Sequence, residues 1–130
     1  MDGEKMLELA QRFLDAWNTG DPDTVAACYT QDVIYRDPST NGTINGIADL
    51  RRFLVKLLAA WEMTWSLREA YLFEGGEGCA ALWRATAKKR GGDTTVEFDG
   101  MDLILFEGEL IRRNEVNFDR MALAPLMGGA

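Results

Sequence analysis

Apolar residues recur every three to four positions over much of residues 4–61, which is the spacing of amphipathic helices. A first helix is predicted over residues 4–19, and its apolar positions are Met6, Leu7, Ala10, Phe13, Leu14 and Trp17. Gly20 ends this helix, and Asp21 and Pro22 open a second one as its N-cap and first helical residue. The inward positions of the second helix are Val25, Cys28 and Tyr29.

Residues 45–61 carry the strongest amphipathic pattern and predict a third helix, with Asn45 as its N-cap. Its apolar face consists of Ile47, Leu50, Phe53, Leu54, Leu57, Leu58 and Trp61. Between the second and third helices, Val33, Ile34 and Tyr35 favour a strand that runs to Asp37. Asn41-Gly42 then predicts a hairpin turn, followed by a short returning strand at residues 43–44.

From Met63 onward the period of the apolar residues changes to two, which is typical of strands. One face of the first of these strands is predicted to carry Met63, Trp65, Leu67 and Tyr71. Further strands are predicted over residues 79–89, 94–107 and 110–119, and a short helical turn over residues 120–127. Helices followed by hairpin-linked strands indicate an α+β fold, in which the helices cover the concave face of a twisted antiparallel sheet.

The chain has 130 residues, enough for one domain with a substantial core, and we expect a single domain over residues 1–130. Its formal net charge of −7 argues against nucleic-acid binding and against an anionic membrane surface, because both need a cationic face. No apolar stretch reaches membrane-spanning length, and the N-terminus lacks the basic and apolar regions of an export signal. We therefore expect a cytoplasmic protein.

The sequence contains no histidine, which excludes a Ser-His-Asp or Cys-His catalytic arrangement and any histidine-ligated metal site. Cys28 and Cys79 lie in apolar patterns and are expected to be free, buried thiols. Neither a metal nor a cofactor is predicted, although carboxylates alone could still form a metal site. Acid–base chemistry must therefore fall to Asp, Glu, Tyr, Lys or water.

Asp37 lies at the end of the predicted strand, and Pro38 restricts it to extended geometry. A carboxylate in this place has two interpretations. It can accept local backbone N–H groups in an Asx turn, or it can act as a general base at the mouth of a pocket. Turn chemistry alone favours the first interpretation, so the rest of the chain has to decide between them.

Asp102 interrupts an otherwise apolar strand face formed by Val96, Phe98, Gly100, Ile104 and Phe106. An inward carboxyl group at this position would be desolvated, which raises its pKa. A neutral carboxylic acid can donate a hydrogen bond to a developing oxyanion. The alternative is a bulge at Gly100 that turns Asp102 outward.

Large apolar side chains could form either a solid core or the wall of a pocket. Helices that diverge from a curved sheet leave an apolar cavity between the two layers. We expect Phe13, Trp17, Phe53 and Leu57 to line or close such a cavity. The alternative is that these side chains and the tryptophans pack as ordinary core.

Three segments resemble the nuclear-transport-factor-2-like superfamily: residues 16–21 (AWNTGD), 29–38 (YTQDVIYRDP) and 45–54 (NGIADLRRFL). Residues 110–120 (LIRRNEVNFDR) are similar to its SnoaL-like, polyketide cyclase-like branch. The resemblance covers nearly the whole chain. It implies a cystatin-like cone, in which helices pack on the concave face of a curved antiparallel sheet. It also implies a homodimer that pairs through the exposed sheet face.

Within that superfamily, ketosteroid isomerase is the nearest chemical parallel. Its catalytic base precedes a proline in a context similar to that of Asp37, and its protonated oxyanion acid lies in a segment similar to that around Asp102. The resemblance also implies a supporting role for Tyr29. The oxyanion tyrosine of that family falls at Phe13, so an oxyanion hole here would lack this donor.

Two other branches are weaker parallels. The polyketide cyclases place an acid in the last strand, and Glu115 falls near that position, but their supporting histidines are missing here. The alternative for Glu115 is a surface partner for an arginine or lysine. The limonene epoxide hydrolases need an Asp-Arg-Asp set, and the late Asp of that set falls at Val116.

These observations predict an enzyme or enzyme-like protein, of the isomerase or cyclase kind, that binds a small apolar carbonyl compound. Asp37 would abstract a proton next to the carbonyl, and neutral Asp102 would stabilise the enolate. The predicted substrate-binding residues are Phe13, Trp17, Tyr29, Phe53, Leu57 and Glu115. The alternatives are a non-catalytic ligand-binding or dimeric assembly module of the same fold, and an epoxide hydrolase-like enzyme. An inward Asp102 close to Asp37 favours catalysis, and an outward Asp102 favours the module.

Overall fold

Six strands and four α-helices make up the computed structural model, which describes residues 2–127. The helices are α1 (Gly3–Asn18), α2 (Pro22–Ala26), α3 (Ile47–Ala60) and α4 (Ala124–Met127), the last preceded by a 3-10 turn at Arg120–Leu123. The strands are β1 (Tyr29–Arg36), β2 (Ile44–Asn45), β3 (Trp61–Leu72), β4 (Gly78–Lys89), β5 (Thr95–Glu107) and β6 (Leu110–Asn117).

The strands form one curved, unclosed sheet in the order β2-β1-β6-β5-β4-β3. All neighbours are antiparallel except β1 and β6, which run parallel. The expected α+β class is confirmed. The parallel pair was not predicted, because its two strands are far apart in sequence and no turn motif connects them.

The first two helices begin as their capping residues indicate. Asp2 accepts a hydrogen bond from the backbone N–H of Lys5, and Asp21 accepts one from that of Asp23. The second helix is shorter than expected and ends at Ala26. The spacing predicted that Tyr29 is a helical residue. In the structure it is instead the buried first residue of β1.

The predicted N-cap of α3 is wrong by one position. Asn45 belongs to β2, where it pairs with Ile34 of β1. Gly46 is the N-cap instead, with a φ of 89° that an L side chain rarely adopts, and its N–H donates to the carbonyl of Val33. Trp61 likewise starts β3 rather than ending α3.

An irregularity in β3 changes which face its later residues occupy. The pairing of β3 with β4 shifts register between Leu67 and Glu69. Residues before the shift keep the expected alternation, but Tyr71 lies on the outer face and is 57% exposed. The prediction that Tyr71 shares a face with Met63 and Trp65 is therefore wrong.

The hydrophobic core lies between α1, α3 and the concave face of the sheet. From α1 it receives Met6, Leu9, Ala10, Phe13, Leu14 and Trp17, and from α3 Leu50, Leu54 and Leu58. The strands contribute alternate residues, among them Cys79, Ala81, Trp83, Ala85 and Ala87 of β4. None of the helices within residues 2–127 combines the length and the apolar character needed to cross a membrane.

Candidate active site

A cavity of about 230 Å³ lies between the helices and the concave face of the sheet. Its floor and walls are mainly apolar, which follows from the core-facing positions that surround it. The helices contribute Phe13, Leu14, Trp17 and Leu57; the strands contribute Tyr35, Trp61, Met63, Trp65, Trp83, Phe98, Asp102 and Val116. The turn after β1 adds Asp37 and Ser39, and the C-terminal segment adds Phe118, Arg120, Leu123 and Met127.

Asp102 points into this cavity. The pairing of β5 with β4 continues without a register shift through Gly100, so the bulge that would have turned Asp102 outward does not form. The side chain is only 4% exposed. The pKa of Asp102 is raised to about 7, mainly by burial and to a smaller extent by the charge of Asp37, against the lowering effect of hydrogen bonds from Trp83 and Asn114.

Two side chains hold the Asp102 carboxyl group. The indole Nε1 of Trp83 donates to Oδ1 over 2.9 Å, and Nδ2 of Asn114 donates to Oδ2 over 3.3 Å. Trp83 can lie across the neighbouring strand because Gly100 has no side chain: a Cβ there would come within 2.3 Å of the indole ring. Phe98 and Phe118 pack edge-on against the same indole and complete its support.

Asp37 fits both of the interpretations that its sequence context allowed. Its Oδ1 accepts the N–H of Ser39 at 2.7 Å, the Ser39 hydroxyl at 2.6 Å and the N–H of Thr40 at 3.1 Å, which is Asx-turn chemistry. Its Oδ2 accepts the hydroxyl of Tyr35 at 2.7 Å, and the carboxylate lines the cavity. The turn therefore orients the carboxylate towards the cavity.

The two tyrosines of β1 stay neutral donors at ordinary pH. Burial raises the pKa of Tyr35 well above its usual value, and the nearby Asp37 charge adds to the shift. Burial also raises the pKa of Tyr29. Tyr29 lies behind the cavity wall, where it contacts Phe13 edge-on and its hydroxyl donates to Oδ1 of Asn114 over 2.9 Å.

The structure does not place all the predicted substrate-binding residues at the cavity. Phe13, Trp17 and Leu57 line it, but Tyr29, Phe53 and Glu115 do not. Phe53 packs behind the wall against the ring of Tyr35. Glu115 lies on the outer face of β6, because Asn114 and Val116 beside it face inward, and it forms ion pairs with Arg36 at 3.1 Å and with Arg113.

Sequence reasoning missed several polar residues of the site. Tyr35, Ser39, Trp83 and Arg120 line the cavity, and Asn114 contacts Asp102 from beneath it. The one signal in the sequence for Asn114 is that it is a polar residue at an inward position of β6. Which residues of β6 point inward depends on a register shift in its pairing with β5, at Leu105 and Phe106, and that shift cannot be read from the sequence. Within residues 2–127, no group of three or more acidic or cysteine side chains is arranged to hold a metal ion.

Known structures share this architecture. A protein from Catenulispora acidiphila with a ketosteroid isomerase-like fold, solved with trimethylamine, has a TM-score of 0.82 and 16% identity over 93% of this chain and 92% of its own. A putative polyketide cyclase from Pseudomonas putida has a TM-score of 0.79 and 17% identity over 91% and 94%. An epoxide hydrolase from M. tuberculosis, described as LEH-like, has a TM-score of 0.77 and 16% identity over 94% and 84%.

One of two sequence comparisons identifies a family. The search of curated protein sequences finds no match to the chain. The family model described as the SnoaL-like domain matches residues 10–114, from the middle of α1 to the buried asparagine of β6. Since that match covers most of the chain, the protein belongs to the SnoaL-like domain family.

Proposed function

We propose that this protein is an enzyme that moves a proton on a small, largely apolar carbonyl compound, with Asp37 as the base and Asp102 as the acid. One observation carries the proposal: among the described residues, two carboxyl groups open into a cavity whose wall is otherwise mainly apolar. An apolar wall excludes water, and it strengthens every charge interaction inside. The ligand bound to the C. acidiphila structure is a small molecule, which supports a small-molecule site here.

The two carboxyl groups have different surroundings, which supports different roles. Asp37 is oriented by Ser39, Thr40 and Tyr35, and its Oδ2 keeps a lone pair beyond the one that Tyr35 occupies. It can take a proton from the carbon next to the carbonyl, and the C–H electron pair then forms the enolate. Asp102, with a pKa of about 7, holds a proton in roughly half of the molecules at pH 7 and in most of them below it, and can donate that proton to the enolate oxygen.

Hydrogen–deuterium exchange tests this assignment. Cyclic ketones and enones are incubated with the protein in D₂O, and deuterium at the α-carbon is followed by NMR. We expect Asp37→Asn to slow exchange at least about a hundredfold, because the base is lost, with little change in ligand affinity. Asp102→Asn should retain part of the activity, since an amide still donates a hydrogen bond.

Asp32→Asn is the matched control, because Asp32 is an exposed aspartate on the same strand as Tyr35. It should exchange at the parent rate. Equal exchange by the parent and Asp37→Asn would refute the role of the base.

A non-catalytic ligand-binding or assembly module is the second candidate. The specific observation in its favour is that the turn and Tyr35 already supply four hydrogen bonds to Asp37, as a structural carboxylate requires. Binding of the ketones without exchange by any variant would support this candidate. An epoxide hydrolase-like reaction has less support, because Val116 pairs directly with Asp102 where that reaction needs a second acid.

We also propose that the protein forms a homodimer through the outer face of the sheet. Leu103 and Met101 of β5 alternate with inward residues and so present apolar surface on that face. A cytoplasmic location stays a prediction from the sequence.

A further inference from the structure

The orientation of the buried Asn114 amide follows from its neighbours. Asn114 is fully buried, and its Nδ2 lies 3.3 Å from the backbone carbonyl oxygen of Leu103. A carbonyl oxygen can only accept a hydrogen bond, so the amide nitrogen must be the atom on this side. The Tyr29 hydroxyl, 2.9 Å from Oδ1, is then the donor on the other side. The same nitrogen therefore faces Oδ2 of Asp102.

Asp102 meets a second obligate donor at its other oxygen. Trp83 Nε1 lies 2.9 Å from Oδ1, and an indole N–H has no acceptor capacity. Both side chains that bind Asp102 in the described part of the chain are therefore donors. When Asp102 is neutral, neither of them can accept its proton.

We propose that Asn114 is a positioning residue that directs the proton of neutral Asp102 into the cavity, so that the site selects ligands that bring a hydrogen-bond acceptor to that point. The inference rests on the proposed function in one respect, the use of that proton on a carbonyl oxygen. It adds what recognises the ligand: an acceptor oxygen facing β5, rather than a group such as ammonium that can only donate. An acceptor there removes the cost of a buried, unpaired donor.

The groups that face Asp102 decide the pH range in which this holds. Burial raises the pKa of Tyr29 and Tyr35, and it raises that of Cys79 to about 11, so all three stay neutral near pH 7. Among the described residues that line the cavity with Asp102, the other charged side chains are Asp37 and Arg120. Below about pH 7, Asp102 carries the proton and the preference for acceptors should be present; above it the preference should disappear.

Asn114→Asp tests the direction of the proton. The new side chain has the same shape but places an oxygen where the amide nitrogen faced Asp102. The proton between the two carboxyl groups is then shared inside the protein and is no longer offered to a ligand. Asn117→Asp is the matched control, since it makes the same change on the same strand at an exposed position.

The first readout uses two probes of nearly equal shape, cyclohexanone and methylenecyclohexane, of which only the ketone has an acceptor oxygen. The ratio of their dissociation constants cancels most of the shared apolar contribution. We expect Asn114→Asp to reduce the preference for the ketone about fivefold at pH 5.5, and Asn117→Asp to leave it unchanged. An unchanged preference in folded Asn114→Asp would overturn the inference.

The second readout needs no ligand and remains usable if Asn114→Asp does not fold. The protein is labelled with ¹³C at the aspartate carboxyl carbons, and the Asp102 signal is assigned from its loss in Asp102→Asn. The parent should titrate with a midpoint at about pH 7. Asn114→Leu removes a donor to the charged form and should raise the midpoint by roughly half to one pH unit. A midpoint that stays at the parent value would overturn the inference.

The results can distinguish a failure of the Asn114 inference from a failure of the proposed function. If the ketone preference and the Asp102 titration change as expected but no variant exchanges α-protons, Asn114 keeps its positioning role and the catalytic assignment of Asp37 falls. If α-proton exchange depends on Asp37 while both Asn114 variants behave as the parent does, the proposed function stands and the inference about Asn114 falls.

Discussion

Asp102 links the chemistry of the cavity to the stability of the fold. Its pKa is about 7 in the folded protein, against an ordinary value of 3.8 that applies to an unfolded chain. Between those two values, the folded state keeps a proton that the unfolded state has released. The stabilising contribution of neutral Asp102 is therefore complete at acid pH and is lost progressively as the pH rises from about 4 to about 7.

Replacing Asp102 by Asn should remove this pH dependence. At pH 3.5 the variant and the parent should have similar free energies of unfolding, because Asp102 is then largely protonated in both the folded and the unfolded parent. At pH 8.5 the variant should be more stable than the parent by roughly 2–4 kcal/mol, since the parent buries a charge there. Urea denaturation of both proteins at the two pH values measures the difference, and parallel pH profiles would contradict the prediction.

Gly100→Ala should disturb the support of the same carboxyl group. The new Cβ would overlap the Trp83 indole at 2.3 Å, so the ring must shift. We expect a loss of about 1–3 kcal/mol in the free energy of unfolding from overpacking, with an upward shift of the Asp102 titration as the indole N–H moves away. Gly3→Ala is the control, because a Cβ there meets no atom within 4 Å. Normal stability of Gly100→Ala would show that Trp83 has room to move.

At the scale of elements, the end of α1 is joined to the edge strand of the sheet by one side chain. Asn18 is the last residue of α1, and its Nδ2 donates to the carbonyl of Trp65 over 2.8 Å. Its Oδ1 accepts the N–H of Trp65 over 2.7 Å. Since β3 is an edge strand, these backbone groups have no further strand to pair with. The contact also fixes Trp65 against Trp17 at the cavity wall.

Asn18→Ala should loosen this junction. Both backbone groups of Trp65 lose their partner, and we expect a decrease of about 1–2 kcal/mol in the free energy of unfolding. Asn18→Asp keeps the acceptor and, when ionised, loses the donor. Its loss of stability should therefore be smaller at low pH, where the protonated acid can still donate, than at neutral pH. Asn41→Ala, at an exposed position in the turn after β1, is the control. Equal stability of Asn18→Ala and the control would show that water replaces the side chain without cost.

At the scale of the molecule, the sheet has one face committed to the core and one face free. The outer face combines apolar residues of β4 and β5 with ion pairs beside them, such as that between Arg84 and Asp99 at 2.8 Å. Met101 is 42% exposed there. Methionine and arginine are both enriched at protein interfaces relative to the rest of the surface. The net charge of −7 keeps other surfaces from associating without specificity.

Sedimentation at micromolar concentration should therefore show a dimer. Leu103→Arg, on the outer face of β5, should convert it to a monomer, because a charge would be buried without a partner. Leu7→Arg is the control: Leu7 is 50% exposed on α1, away from the sheet face. A parent protein that sediments as a monomer at every concentration would rule out this interface.

The order and kind of the elements could be read from the sequence, because they depend on local chemistry. Helical and strand periods, the caps at Asp21 and Pro22 and the glycine-rich turns act over a few residues. The caps and the turns are confirmed, and the periods are confirmed except at Tyr29 and after the register shift in β3. The family resemblance is confirmed as well, and with it the fold. Local alternation gave an inward Asp102 as one of two alternatives, and the structure has that one, since β5 continues past Gly100 without a bulge.

Only the tertiary structure decided which side chains meet. The parallel pairing of β1 with β6 brings Tyr29 to Asn114, and the register of β6 with β5 brings Asn114 to Asp102. A shift of one residue in either strand would exchange Asn114 with Glu115, and sequence alone placed the wrong one of the two near the site. Asp37 shows the same limit of sequence-based prediction, because the local sequence around it is compatible with both an Asx turn and a carboxylate that lines a cavity. Register and packing between distant segments distinguish them, and no local pattern encodes either.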